Sequence, residues 1–208
     1  MPTIAIASPY SQSIFGTTVP LATAWAVCVA EPAGATMYTD FLYMDAIGTI
    51  NHEIRRAFCN WDLSSIPNTA TVFSASIWMK IVSYIGASYT CIQGVTLSDP
   101  MVVADFNVAG FSATRYSVRT VSAMGTWKEF VLNADGIAWV QGHLAGRCGM
   151  VFRMEHDYTV TDPNPSAYEV QGGNGTGGEA TPYLVVDTGA VGGDNGPLAK
   201  TLKVLDVI

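Results

Sequence analysis

Charge is what this sequence has least of. Of 208 residues, 13% are Asp, Glu, Lys or Arg, and the balance is acidic, with a formal net charge of -7. The ten basic residues are scattered. Arg55 and Arg56 are the only adjacent pair, and a strand would send them to opposite faces. A phosphate backbone needs a basic face, so no nucleic-acid partner is expected. Helical periodicity is nearly absent. The apolar stretch from Val19 to Ala30 is broken by Pro20, and no basic segment opens the chain. Neither a signal peptide nor a membrane span is expected, which points to a protein that stays in its cell or leaves inside a particle or by lysis.

The motifs of catalysis are also missing. No H-E-x-x-H, G-x-S-x-G or P-loop pattern occurs around the histidines His52, His143 and His156 or elsewhere. Cys28, Cys59, Cys91 and Cys148 lie far apart without a C-x-x-C pair, so zinc is not expected. Buried free thiols are the simplest reading, with disulfides open to an exported protein. The sequence predicts no enzyme and no required cofactor.

What is present is hydrophobic residues, 49% of the chain, in short runs between turn formers. Phe73, Ala75, Ile77, Met79 and Ile81 share one parity, and Ser74, Ser76, Trp78 and Lys80 the other, the period of a half-buried strand. Residues 19–30, 54–61, 72–82, 89–97, 115–122, 127–132, 147–155 and 181–186 read as strands. One short helix is predicted over NADGIAWVQG, capped by Asn133 and ended by Gly142, with Ile137 and Val140 facing the sheet. Residues 161–180 read as one long loop rich in Gly and Pro. The pattern predicts an all-β, antiparallel sandwich. Three segments are expected: an N-terminal arm or added strands over 1–35, the sandwich over 36–187, and a linker with a docking tail over 188–208.

Residues 62–67, DLSSIP, form a turn between two strand patterns. Asp62 and the serines can accept backbone N–H groups, and Ile66 can plug the sandwich end. Together with Arg56, Phe58, Cys59 and Trp61 before it, and Ala70, Thr71, Val72, Ser74, Ala75 and Ile77 after it, this stretch resembles the disaggregatase-related, DNRLRE-type β-sandwich modules. WKEFVLNADGIAWVQG, GRCGMVFRMEHD and TPYLVV follow in that family's order. Trp61 stands for the usual Phe and Cys59 for the usual Leu, while the first 35 and last 20 residues have no counterpart. The resemblance implies a jelly-roll-like fold without enzyme activity. Such modules occur in secreted or surface polysaccharide-binding proteins and among phage virion proteins.

The favoured expectation is a structural or adhesive virion subunit of a phage-like particle, a head decoration or tail-associated protein. It would contact itself, other virion proteins and a host-surface glycan. The alternative is a carbohydrate-binding module of a cell-surface or secreted protein. Contact residues expected from the sequence are Trp78, Tyr158 and Tyr168, and Leu198, Leu202, Val204 and Ile208 in the tail. Trp61, Trp127 and Trp139 are expected in the core. Asp157, Asp162 and Asn164, near the long loop, are the oxygen donors a calcium ion would use.

Overall fold

The computed structural model describes residues 3–8, 10–31, 33–86, 88–173 and 180–189. Its strands are β1 (Thr3–Ala7), β2 (Tyr10–Phe15), β3 (Val19–Pro20), β4 (Thr36–Tyr38), β5 (Phe41–Gly48), β6 (Asn51–Asp62), β7 (Thr71–Ile85), β8 (Ser88–Gly94), β9 (Ser117–Val121), β10 (Trp127–Val131), β11 (Arg147–Met154), β12 (Ala167–Gly173) and β13 (Tyr183–Gly189). Helices α1 (Trp25–Val29), α2 (Ala134–Gly142) and α3 (Glu155–Tyr158) are short. The strands form one curled antiparallel sheet in the order β1-β13-β7-β12-β5-β6-β11-β8-β9, with β10 on β7 and with β2 and β3 on β6. The fold is all-β and sandwich-like, as the alternation and turn chemistry predicted.

Two long strands organise it. β7 pairs with β13 and β10 over its first part and with β12 over its last. It therefore passes from one layer to the other and joins them. On β6, Arg55 lies between Asp45 and Phe15, so β5 and β2 take opposite edges. Residues 57–60 lie between β11 and β2, which puts β11 on the same edge as β5. Two wings thus leave one edge of β6. Residues 57–61 of β6 and 148–154 of β11 are buried on both faces, because the segments between the strands cover the second face.

The turn at 62–67 does what its residues predict. The Ser64 N–H donates to Asp62 Oδ1 at 2.9 Å. Leu63 and Ile66 are buried, and both their carbonyls accept from the Ala145 N–H. Helix α2 matches its prediction too: Asn133 Oδ1 accepts from the Gly136 N–H at 3.0 Å, Val140 is buried, and Ile137 packs partly buried on the core.

The structure corrects four expectations. Residues 25–29 are helix, not strand; Trp25, Cys28 and Val29 are buried at helical spacing while Ala26 and Val27 face out. The predicted loop 161–180 contains β12, a central strand between β5 and β7. Its Gly172 is there for packing: a Cβ would collide with the Met79 sulfur. Phe73 is not in the core. β13 skips it, pairing Asp187 with Ser74 and Thr188 with Val72, and this bulge turns Val72 inward and leaves Phe73 half exposed. Trp127 is 37% exposed, since Trp127 and Phe130 fall on opposite faces of β10 and Phe130 takes the inner one. Of the other tryptophans expected in the core, Trp61 is fully buried and Trp139 half-buried.

Candidate functional site

The first layer turns a patterned face outward. Strand pairing sets Ala7, Tyr183, Trp78 and Glu129 side by side in one row. Ala5, Val185, Ser76 and Val131 make the next row, and Lys80 sits opposite Trp127. The Trp78 and Tyr183 rings are parallel within 3°, centroids 6.2 Å apart. Trp127 meets Tyr183 edge-on at 5.1 Å. Val131 is 59% exposed, and Phe73 reaches the surface beside Gly189. Burial and the nearby Glu129 carboxylate push the Tyr183 hydroxyl above its usual pKa. The result is an aromatic platform with Glu129 and Lys80 beside it. Sequence alternation found Trp78. It missed Tyr183 and Trp127, because strand register and the choice of which face is buried are not local properties.

The other candidate residues do not join this platform. The Tyr168 ring stacks on His156 at 4.4 Å. The Tyr158 ring lies under Arg115 at 4.7 Å and near Arg153. Leu198, Leu202, Val204 and Ile208 lie outside the described residues.

The calcium donors do not converge either. Asp157 is fully buried and held by two arginines. Arg56 donates through Nε and Nη2 at 2.8 and 2.7 Å, and Arg153 through the same pair of atoms at 2.7 and 2.8 Å. Burial alone would raise this carboxyl's pKa, but the two guanidinium groups hold it far below the usual carboxylate range. Arg56 also donates to the carbonyls of Phe106 and Val29, and Arg153 to Gln93 Oε1. The network therefore ties the covering segments to β6, β8 and β11. Asp162 uses Oδ1 on the Asn164 N–H at 2.8 Å and lies 3.2 Å from His52 Nε2. Among the described residues no three His, Cys, Asp or Glu side chains gather as a metal site.

A second ionic row crosses the outer face of the β5 wing: Glu169, Asp45, Arg55 and Phe15 on neighbouring strands. Asp45 is fully buried. Arg55 Nη1 lies 2.9 Å from its Oδ2, but off the line of a hydrogen bond, and neither Asp45 oxygen accepts one. Burial, only partly offset by Arg55, raises the Asp45 carboxyl pKa to about 8. The Arg55 guanidinium sits among the Phe15, Tyr38 and Tyr43 rings at 5.0 to 5.5 Å. Strand β5 was not legible as a strand, so nothing singled out Asp45.

All four cysteines are free and buried. A cleft of about 110 Å³ beside Asn60, Leu97 and His143 is small against the roughly 300 Å³ of the smallest ligand pockets. Among the described residues no helix is long and apolar enough to cross a membrane. No family model and no curated protein matches the chain.

Proposed function

We propose that this chain is a non-enzymatic structural or adhesive subunit of a phage-like particle, working through its outer sheet faces on copies of itself and on other virion proteins. The observation that carries this is the platform: Trp127 and Val131 exposed beside half-buried Trp78 and Tyr183, with Phe73 exposed farther along β7. Exposed aromatic and apolar side chains gathered on a sheet face suit a contact surface. The phage setting comes from the resemblance, and the low charge of the chain agrees with it. No cofactor enters the reading. An obligate interface would bury roughly 2,000 Å² or more.

One observation favours a second reading. Parallel Trp78 and Tyr183 rings flanked by Glu129 and Lys80 are a surface on which a sugar ring can stack, as in a carbohydrate-binding module. Native mass together with a glycan array separates the two. An oligomer that Trp127→Ala dissociates, with no glycan bound, supports the assembly reading. A monomer whose glycan binding is lost in Trp78→Ala supports the second. A monomer that binds no glycan removes both.

A further inference from the structure

Asn60 is 4% exposed, and among the described residues its carboxamide has no hydrogen-bond partner; Ser8 bonds only its backbone. A buried carboxamide without partners is costly, so one in a folded protein calls for a reason. Strand pairing says where it points. Asn60 pairs with Gly149, so the two share a face. A Cβ on Gly149 would meet the Val95 carbonyl and the Leu97 side chain, so residues 95–97 lie over that face. Asn60 therefore looks into the cleft of about 110 Å³ that it lines with residues 95–97, His143, Arg147 and Gly149. Thr96 is exposed and stands at the mouth.

The walls set the chemistry of an occupant. Arg147 lies 3.0 Å from Asp99 and pairs across the ladder with Asp62, so its charge is already matched. With no surplus of either sign, the cleft favours a neutral guest. His143 Nδ1 lies 2.7 Å from the Trp139 carbonyl oxygen. A carbonyl only accepts, so Nδ1 carries the proton and the neutral ring keeps Nε2 as an acceptor. Asn60 adds one acceptor and two donors. A primary carboxamide is the complement. Its carbonyl can take an Asn60 N–H, while its own N–H groups serve Asn60 Oδ1 and His143 Nε2. Its donor and acceptor are fixed in one plane, so little rotor freedom is lost on binding, whereas a diol must freeze its hydroxyls. Size agrees. At roughly 30 Å³ for each water-sized group the cleft holds about four of them. That suits the end of an Asn or Gln side chain and is too little for a sugar ring.

We infer that the Asn60 cleft is a binding site for a primary carboxamide, free or as the end of an Asn or Gln side chain of a contacting protein. The site lies on β6 and β11, apart from the platform on β7, β10 and β13, and does not rest on the function proposed for that platform.

The test is NMR titration of the isotope-labelled full chain, read at the backbone amide of Gly149, which lines the cleft. The probes are acetamide, acetate, ethanediol and N,N-dimethylacetamide, the last of which keeps the carbonyl and lacks the N–H groups. Acetamide is expected to shift the signal saturably, and the other three to bind at least about tenfold more weakly, the worth of one good hydrogen bond. Asn60→Leu, which removes the carboxamide at similar volume, should abolish the response, and His143→Phe should weaken it. Should Asn60→Leu fail to fold, the four-probe comparison in the native chain decides. Equal responses to all four probes, or no saturable response to acetamide because the cleft holds water only, overturn the inference. The tripeptide Gly-Gln-Gly separates the two sources. Tighter binding than acetamide supports a protein side chain as the guest, and acetamide binding alone supports a free small amide.

Discussion

Asp157 and Arg56, 101 residues apart, meet fork to fork inside the protein, with Nε donating to Oδ2 at 2.8 Å and Nη2 to Oδ1 at 2.7 Å. Neither side chain reaches solvent. A buried pair of this kind is costly to break, since the group left behind is an uncompensated charge. Asp157→Asn or Arg56→Ala is expected to lose about 3–5 kcal/mol of folding stability. Urea unfolding measures it; a loss under 1 kcal/mol would mean that water or a rearranged partner reaches the site.

The two buried carboxylates give opposite pH dependences. The folded pKa of Asp157 is depressed, so its stabilisation is present above the ordinary carboxylate pKa of ~3.9 and is lost as pH falls toward the depressed value. The folded pKa of Asp45 is raised to about 8. The folded state then binds the extra proton, so the Asp45 contribution is complete below pH ~4 and drains away as pH rises to about 8. Unfolding free energy measured between pH 5 and 8 should fall with pH at lower slope in Asp45→Asn than in the parent. Equal slopes would show that Asp45 is ionised throughout.

Gly172 has no room for a methyl group against Met79 and Leu42. Gly172→Ala should cost about 1–3 kcal/mol, as overpacking does. Adding Met79→Ala should cost less in this background than in the parent, because the clash goes with the sulfur. Additive losses in a double-mutant cycle would refute the contact.

Burial raises the Cys28, Cys59 and Cys148 thiols to about 12, and Cys91 higher still beside the Glu155 carboxylate. The thiolate is the reactive form. The native protein at pH 8 should therefore leave all four unmodified by a thiol reagent, and denaturant should expose all four. Rapid labelling of any one in the native state would identify a locally open segment.

Alternation and turn chemistry are local, and they were legible. They placed β6, β7, β10 and β11, the Asp62 turn, the Asn133 cap, and the opposite facing of Arg55 and Arg56. Where local cues misled, a distant neighbour had decided the outcome. Gly172 looks like loop until Met79 lies over it. Phe73 looks like core until β13 skips it. The Asp157 carboxyl looks like a loop ligand until two arginines close on it.

The sequence by itself determined that this chain builds antiparallel strands joined by turns, because side-chain period and turn residues act within a few positions. Only the tertiary structure decided which strands are neighbours, which face of each strand the covering segments bury, and that Trp78, Tyr183 and Trp127 share one surface. Those outcomes depend on pairing between residues far apart in the chain, and no local pattern encodes the register.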